Sequence, residues 1–355
     1  MELLNICMKI LGALVGSIIL ILIILSFVPA RTPKIKNKGK IISDSIAEII
    51  KVKIGGVNQS LLIRGHNIKK PIILFLHGGP GQSEIGYIRY YQKKLEEKFI
   101  VVRWDQRGSG SSYSKDIPKE SFTIKQFLED TNEVTDYLRE RFNQSKIFIV
   151  GHSWGTVLGT LSAKNHPEKY LAYIGIGQHI HSKESENISY DFVLSKSKEE
   201  NNKKALEELN RIGPPLYKTM DDQIIQRKWL NTFGGIIKTE PEKGMTSSLL
   251  LSPEYTLSTK LNYQKRLLAC GEMMISELYD VNFMEDIKEL EVPVYFLIGR
   301  YDYTTAFSLV EEFYSQLQAP KKEMIWFENS AHLPQLEENK KLYKTIIRIA
   351  EQIQS

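Results

Sequence analysis

A serine between two glycines follows a short apolar run near the middle of the chain. Ser153 lies in the segment Gly151-His152-Ser153-Trp154-Gly155, directly after the run at residues 147–150, and a helical pattern begins at Trp154. This strand–turn–helix placement is typical of a nucleophile elbow, in which small residues permit a sharp turn and leave the serine Oγ exposed. A serine hydroxyl becomes a good nucleophile only when a base takes its proton, so a histidine and an orienting carboxylate must follow.

Both partners are found further along the chain, each just past an apolar run of strand length. Asp302 comes after the run at residues 294–298, and His332 comes after the run at residues 324–327. The order serine, acid, histidine is that of the α/β-hydrolases. We therefore predict that Ser153 is the nucleophile, that His332 is the general base and that Asp302 orients the imidazole.

A glycine-rich segment could stabilise the negative charge that acyl transfer places on a carbonyl oxygen. His77-Gly78-Gly79-Pro80-Gly81 directly follows the apolar run at residues 72–76. Consecutive glycines let the main chain approach a substrate closely, and backbone N–H groups are the donors that such an oxyanion needs. We expect the amides of Gly79 and Trp154 to form the oxyanion hole.

The elements that must position these residues alternate between strand and helix. Residues 48–54 and 59–64 alternate apolar and polar around Gly55-Gly56, which predicts a β-hairpin. Short apolar runs follow it, as a parallel sheet covered on both faces requires, at residues 72–76, 99–104, 147–150, 171–176, 294–298 and 324–327. The predicted class is therefore α/β, with the α/β-hydrolase fold and a mostly parallel central sheet covered by helices.

One long segment interrupts this alternation. Residues 178–290 are charged, poor in strand patterns and helical in periodicity. An insertion of this size after the sixth strand would cover the carboxyl edge of the sheet, where open α/β sheets bind their ligands. We predict a core at residues 48–177 and 291–355, with residues 178–290 as a helical cap.

The N-terminal residues form a long apolar run. No charged side chain occurs from Ile10 to Ala30, and twenty or so helical residues would cover the roughly 30 Å of a bilayer's hydrocarbon core. We therefore expect residues 1–30 to be a single-pass transmembrane anchor that contacts the lipid bilayer through residues 10–30, followed by a basic linker at residues 31–47. A cleaved signal peptide is the alternative, because Val28-Pro29-Ala30 offers small residues for cleavage. The positive charges after the run weakly favour a cytoplasmic catalytic part.

Composition excludes several other classes of protein. Of the 355 residues, 42% are hydrophobic and 25% are charged, as in globular enzymes. The net charge of +5 equals the charge of the linker, which comes from Arg31, Lys34, Lys36, Lys38 and Lys40. Because the rest of the chain carries no net charge, we expect no nucleic-acid partner. The chain has two cysteines, Cys7 and Cys270, which excludes a disulfide framework and a four-cysteine zinc site.

Four motifs, taken together, carry a family resemblance. They are His77-Gly-Gly-Pro-Gly81, Trp104-Asp-Gln-Arg-Gly-Ser-Gly110, Gly151-His-Ser-Trp-Gly155 and Gly299-Arg-Tyr-Asp302. From about residue 48 to the C-terminus the chain resembles the proline iminopeptidase family of α/β-hydrolases. The resemblance implies a serine aminopeptidase that releases N-terminal residues, proline above all, from small peptide or aminoacyl substrates without a metal or cofactor. It also implies that Asp105 and Arg107 form a structural ion pair behind the oxyanion hole.

The chain departs from the family pattern in the elbow and in the cap. His152 stands where family members commonly have glycine. Family caps hold the substrate's ammonium with acidic side chains, often in a Trp-Glu pair, whereas here Trp229 is followed by Leu230. Glu272 and Glu277 lie roughly where a second amine-binding glutamate of the family falls, so the resemblance implies them as substrate-binding residues. The alternative is that both are solvated helix charges.

Three other functions are alternatives to the aminopeptidase. A carboxylesterase or amidase acting on a small acyl substrate stays open, because the expected anchor suits a lipid-derived compound and the cap has diverged. An epoxide hydrolase or dehalogenase with an aspartate nucleophile is excluded by Ser153 at the elbow. A catalytically silent scaffold would have lost a residue of the triad, and all three are present.

Overall fold

The computed structural model describes residues 2–217, 219–242 and 244–354, and within these ranges an eight-stranded sheet forms the centre of the fold. Met1, Ser355 and two positions of the predicted cap, Lys218 and Lys243, lie outside them. Two short strands, β1 (Lys36–Asn37) and β2 (Lys40–Ile41), pair with each other in a separate sheet. The eight strands of the central sheet are β3 (Ile46–Ile54), β4 (Val57–Gly65), β5 (Ile72–Leu76), β6 (Ile100–Asp105), β7 (Ile147–His152), β8 (Tyr170–Ile176), β9 (Val294–Gly299) and β10 (Lys322–Phe327).

The order of strands in this sheet is β10-β9-β8-β7-β5-β6-β4-β3. β3 and β4 form the predicted hairpin, in which Ile54 lies opposite Val57, and β4 is also antiparallel to β6. The neighbouring pairs from β6 to β10 are parallel. The predicted α/β class, the hairpin and the apolar strands are confirmed, with boundaries that differ by at most two residues.

Helices lie between the strands, before the first strand and after the last one. They are α1 (Glu2–Ser26), α2 (Arg89–Glu96), α3 (Ile124–Arg141), α4 (Trp154–Asn165), α5 (Ser182–Glu199), α6 (Lys203–Ile212), α7 (Met220–Thr232), α8 (Met245–Leu251), α9 (Leu257–Leu261), α10 (Tyr263–Tyr279), α11 (Phe283–Asp286), α12 (Phe307–Gln316), α13 (Pro334–Glu337) and α14 (Asn339–Gln354). Helices α5 to α11 lie between β8 and β9, in residues 178–290, which we call the insertion.

Both faces of the sheet are covered, and alternate residues of each parallel strand serve the two faces. Ile149 of β7 belongs to one apolar cluster, together with Phe127 of α3 and Val157 of α4. Its neighbour Phe148 belongs to a second cluster on the other face, together with Ile346 of α14. Because side chains alternate across a strand, a strand buried on both faces is apolar at successive positions. This explains the uninterrupted apolar runs of the sequence.

The transmembrane anchor predicted at residues 10–30 is wrong. The helix α1 ends at Ser26, four residues before the predicted end. Residues 10–26 extend about 25 Å as a helix, which is less than the roughly 30 Å of the hydrocarbon core, and Asn5 and Lys9 interrupt the apolar character on the other side. Among the described residues, no helix has both the length and the apolar character that a membrane span requires. The predicted location as a single-pass membrane protein is therefore wrong as well.

The residues that follow α1 are held against the insertion. The Arg31 N–H donates to the carbonyl oxygen of Pro253 at 2.9 Å, and the Thr32 hydroxyl donates to Glu254 at 3.0 Å. Arg64 of β4 donates to the Thr32 hydroxyl at 2.6 Å. The chain around residues 31–32 is therefore anchored to the stretch of the insertion that directly precedes Tyr255.

Candidate active site

The turn at Ser153 is tight and depends on its flanking glycines. Ser153 has φ 52°, in the left-handed region that non-glycine residues rarely adopt. A Cβ placed on Gly151 would lie 2.4 Å from the carbonyl oxygen of Gly155, and one on Gly155 would lie 2.1 Å from that of Leu76. The Ser153 N–H donates to the carbonyl oxygen of Ile176 at 3.0 Å. The serine is therefore fixed between the end of β7 and the start of α4.

Asp302 and His332 are brought into contact at the same edge of the sheet. The Nδ1 of His332 is 2.8 Å from the Oδ2 of Asp302, and both residues are buried. Asp302 also accepts hydrogen bonds from the N–H groups of Thr304 and Thr305, at 2.9 Å and 3.0 Å. An ionised Asp302 would hold the proton of His332 on Nδ1 and leave Nε2 free to act as a base.

Opposing effects set the pKa of Asp302. Burial alone would raise it, but the charge and hydrogen bond of His332, with the N–H and hydroxyl of Thr305, outweigh burial and hold the pKa below its ordinary value. The carboxylate is thus ionised at neutral pH, as an orienting group must be.

Gly177 closes the space beside this pair, and the sequence patterns did not single it out. Its φ is +54°, and a Cβ placed on it would lie 2.9 Å from His332 Nδ1 and 3.2 Å from Asp302 Oδ2. The signal that could have found it is its position directly after β8, where the chain must pass the ends of β7 and β9.

The predicted oxyanion residues line the same cavity as Ser153. Gly79, Trp154 and Ser153 all contribute to its wall. Gly79 has φ +111°, which only glycine adopts easily. The indole N–H of Trp154 donates to Gln106 at 2.8 Å, and Gln106 donates to the carbonyl oxygen of His77 at 3.1 Å. These bonds tie the glycine loop to α4.

His77 itself is buried as a neutral ring. Burial lowers its pKa to about 4. Its Nδ1 lies 2.8 Å from the Gly78 carbonyl oxygen and its Nε2 lies 3.2 Å from the Gln106 N–H. Because a carbonyl only accepts and an N–H only donates, the proton must be on Nδ1. His77 therefore supports the loop and is not available as a base.

The implied ion pair between Asp105 and Arg107 is wrong. Arg107 pairs with Asp130 of α3, through Nη2 and Nε at 2.8 Å and 2.9 Å. Asp105 accepts instead from the Tyr255 hydroxyl at 2.8 Å and from the Ser111 N–H at 2.7 Å. Residues 105 and 107 face different partners, so the loop joins α3 on one side and the insertion on the other.

Ser153 opens into a cavity of about 220 Å³ between the core and the insertion. Part of its wall is apolar and comes from the insertion, namely Met220, Leu267, Leu268, Ile275 and Leu278. Among the described residues, no cluster of three His, Cys, Asp or Glu side chains is placed to hold a metal ion.

The polar end of the cavity holds a carboxylate that the sequence did not reveal. Glu186 of α5 pairs through Oε1 with Nη2 of Arg227 of α7, and both residues line the cavity. Its other oxygen, Oε2, is buried and has no hydrogen-bond partner among the described residues. Arg227 also donates to Gln226. No periodicity links Glu186 to a partner 41 residues away in another helix, so no sequence signal could have found this pair.

The two glutamates that the resemblance implied do not line this cavity. Glu272 is exposed on α10. Glu277 is half-buried, and its carboxylate accepts the Ile124 N–H at 2.8 Å, at the N-terminus of α3. Acidic side chains stabilise helix N-termini in this way. The structure thus places neither of them with Ser153.

Comparisons with known proteins agree on the family. A family model described as alpha/beta hydrolase fold matches residues 71–339. The chain is 36% identical over 311 residues to a Bacillus subtilis (strain 168) protein named "Probable aminopeptidase YbaC", covering 86% of this chain and 97% of that one. It is 25% identical over 281 residues to a "Proline iminopeptidase" of Clostridioides difficile (strain 630), covering 78% and 88%. The crystal structure of VinJ superposes with a TM-score of 0.62 at 19% identity, covering 86% and 98%, which concerns the fold alone.

Proposed function

Because this chain belongs to the α/β-hydrolase family and is proline iminopeptidase-like, we propose that it is a serine aminopeptidase that releases single N-terminal residues through an acyl-enzyme. One observation carries the proposal. Glu186 lines the cavity into which Ser153 opens, and its carboxylate oxygen Oε2 is buried without a hydrogen-bond partner among the described residues.

The chemical step is assigned to the core residues. Ser153 Oγ attacks the carbonyl carbon of the N-terminal residue while His332 Nε2 takes its proton, and Asp302 stabilises the imidazolium that forms. The amides of Gly79 and Trp154 are assigned to the oxyanion, and the loss of one such donor lowers kcat by about 100-fold to 1000-fold. The bond between the carbonyl carbon and the amine nitrogen then breaks, and His332 gives its proton to the leaving amine. In the second half, His332 takes a proton from a water molecule whose oxygen attacks the acyl carbon; the bond to Ser153 Oγ breaks, and His332 returns the proton to Ser153.

The substrate's free amine is assigned to Glu186. An ammonium that leaves water costs several kcal/mol unless a carboxylate meets it, and a buried carboxylate oxygen without a hydrogen bond carries a matching penalty. An ammonium beside Glu186 Oε2 offsets both penalties, because each group then has a charged hydrogen-bond partner. Arg227 balances the charge of Glu186 when no substrate is bound, since it pairs with the other oxygen.

The size and lining of the cavity support an exopeptidase. About 220 Å³ is less than the roughly 300–1,000 Å³ of sites for drug-sized ligands. It suits one aminoacyl residue whose side chain packs on the apolar wall. We infer that the insertion acts as the cap of this enzyme, because it contributes that wall and both residues of the Glu186–Arg227 pair.

The test compares free and blocked amines. The protein should hydrolyse prolyl or alanyl naphthylamides and reject their N-acetylated forms. Glu186→Gln should raise KM for the free-amine substrates by about tenfold or more with little change in kcat, as the loss of uniform binding does. Glu272→Gln is the matched control, since Glu272 is exposed and lies away from the cavity, and it should behave like the wild type.

A carboxylesterase or amidase is the second candidate, because Glu186 already has an ionic partner and much of the cavity wall is apolar. If N-acetylation leaves the rate unchanged, or if short acyl esters are far better substrates than any aminoacyl amide, the aminopeptidase proposal is wrong. The esterase or amidase then takes its place.

A further inference from the structure

His152, the residue before the nucleophile, contacts the loop that carries the general base. It is buried at the end of β7, and its Nε2 lies 3.0 Å from the main-chain carbonyl oxygen of His332. The two imidazole rings lie 4.9 Å apart between centroids, with an interplanar angle of 42°.

His152 also adjoins the glycine loop of the oxyanion hole. A Cβ placed on Gly78 would lie 3.1 Å from His152 Nδ1 and 3.1 Å from Ser153 Cβ. The ring therefore fills the space between three parts of the site: the nucleophile to which it is joined by the main chain, the loop of His332, and the segment that precedes Gly79.

The protonation state of His152 follows from its partners. The carbonyl oxygen of His332 can only accept, so Nε2 of His152 must carry the proton. Burial, reinforced by the positive charge of a protonated His332, lowers the pKa of His152 to about 3. The ring thus stays neutral around neutral pH and adds no positive charge beside the imidazolium that forms on His332 during catalysis.

We propose that His152 is a positioning residue, whose Nε2–H holds the main chain of His332 at the distance from Ser153 that proton transfer requires. The proposal rests on the proposed function for its reaction, since it assigns His332 as the base. The main chain of His332 has a further contact, because its N–H donates to the carbonyl oxygen of Ile236 in the insertion at 2.9 Å. His152 therefore contacts the main-chain carbonyl oxygen of His332 from the core side, while Asp302 holds its ring. Removing His152 leaves the ring bond to Asp302 and the main-chain bond to the insertion.

Two substitutions separate the hydrogen bond from the packing. His152→Phe keeps a flat ring and removes the donor. His152→Gln places an amide N–H the same number of bonds from the main chain as Nε2 of histidine. We expect H152F to lower kcat on an aminoacyl naphthylamide by about tenfold to a hundredfold with little change in KM, because a shift of about 1 Å in a reacting group has an effect of this size. H152Q should recover most of the loss.

Labelling by a fluorophosphonate probe gives a second readout that does not depend on the natural substrate. The labelling rate constant should fall in H152F and recover in H152Q, as kcat does. His166→Phe is the control, because His166 lies at the C-terminal end of α4, half-buried and away from the cavity. If the wild type is labelled but cleaves no aminoacyl amide, the proposed function fails, while the order of labelling rates still tests His152.

A second variant is needed in case His152→Phe does not fold, because an unfolded protein says nothing about the role of His152. Should H152F be unfolded by circular dichroism, His152→Asn replaces it, since its amide is one bond too short to reach the His332 carbonyl oxygen. H152N should then label slowly and H152Q rapidly. Wild-type labelling in a folded H152F or H152N overturns the proposal. Equal loss in H152Q and H152N, with equal losses of thermal stability, also overturns it, because the histidine ring would then act only as core packing.

Discussion

The two halves of the site differ in how their buried polar groups are paired. On the core side, Asp302 accepts from His332 Nδ1 and from two N–H groups of the following turn. On the insertion side, Glu186 Oε2 and the Tyr279 hydroxyl are buried without a hydrogen-bond partner among the described residues, and both residues line the cavity. Buried polar groups without partners are costly and uncommon in native proteins.

This difference assigns different tasks to the two halves. The core half is complete in itself, because each group of the Asp302–His332 pair is held whether or not a ligand is bound. In the proposed function, a polar ligand would supply the hydrogen bonds that these two groups of the insertion half lack. We therefore expect substitutions in the core half to lower kcat and substitutions in the insertion half to change KM and substrate choice. The predictions below test this contrast, beginning with the largest expected effect.

Loss of the nucleophile should have the largest effect. Ser153→Ala should lower kcat by about 10⁶-fold, the size of effect that removal of a triad serine has in other hydrolases, while substrate still binds with nearly normal affinity. A fluorophosphonate probe should label the wild type and the control variant Ser315→Ala, since Ser315 is exposed on α12. Undiminished labelling of the S153A variant would refute the assignment of Ser153.

A methyl group beside the Asp302–His332 pair should have the next largest effect. Gly177→Ala places a Cβ 2.9 Å from His332 Nδ1 in a turn with φ +54°, so the imidazole must move. We expect kcat to fall by about tenfold to a hundredfold, since small shifts in a reacting group have effects of this size.

The insertion offers a matched control for the backbone strain. Gly213 has φ +74°, and a Cβ placed on it meets nothing within 4 Å. Gly213→Ala therefore introduces the left-handed strain without the contact, and it should lower the melting temperature while leaving kcat unchanged. Equal losses of kcat in both variants would mean that backbone strain causes the loss in Gly177→Ala, and not the contact of the new methyl group with His332.

The contrast also explains what the sequence could predict. Ser153, Asp302 and His332 follow the ends of β7, β9 and β10, and parallel strands bring their carboxyl ends to one edge of the sheet. Apolar runs therefore predicted the strands, and the ends of the strands predicted where Ser153, Asp302 and His332 would lie. Glu186 and Arg227 lie on two helices of the insertion, whose packing no periodicity specifies, so their contact could not be predicted.

Two errors have equally local causes. Asp105 and Arg107 are close in sequence, but Asp105 ends β6 while Arg107 lies in the turn that faces Asp130 of α3. The pair that the resemblance implied is therefore replaced by two contacts on different sides of this turn. The run at residues 10–30 predicts one helix because no charge interrupts it, yet the helix ends at Ser26, before Pro29.

The stability of the protein should depend on pH through Asp105, a core residue that accepts a hydrogen bond from Tyr255 of the insertion. Burial raises the pKa of Asp105 from 3.8 to about 7, although its hydrogen bonds oppose the shift. The folded protein then holds a proton that the unfolded chain releases. The resulting contribution to stability is complete below pH about 4 and is lost as the pH rises through about 7.

Asp105→Asn should remove this dependence, because the amide does not titrate. The melting temperature of the wild type should fall relative to that of D105N between pH 5 and pH 8, by a few degrees. Thermal scans of both proteins in the same buffers measure the difference, so that other titrating groups cancel. Asp116→Asn, at an exposed aspartate, is the control. A constant difference between the wild type and D105N across this range would contradict the prediction.

A matched pair of tyrosines gives the smallest and most direct comparison. In the core, the Tyr173 hydroxyl donates to Gln178 at 2.5 Å and accepts from Thr160 at 3.2 Å. In the insertion, the Tyr279 hydroxyl is buried without a partner among the described residues. Removing a paired hydroxyl leaves its partner unsatisfied, at a cost of about 1–3 kcal/mol, whereas removing an unpaired hydroxyl is nearly neutral or stabilising.

Tyr173→Phe should therefore lower the free energy of unfolding by about 1–3 kcal/mol, and Tyr279→Phe should change it by less than about 0.5 kcal/mol. Urea unfolding of both variants measures these values. Because Tyr279 lines the cavity, Y279F should also shift KM for aminoacyl amides by a few-fold, while Y173F leaves it unchanged. If Y279F destabilises the protein as much as Y173F does, the hydroxyl of Tyr279 already has a hydrogen bond without substrate. The buried polar groups of the insertion would then be paired as those of the core are, and the expected assignment of kcat to the core half and of KM to the insertion half would be wrong.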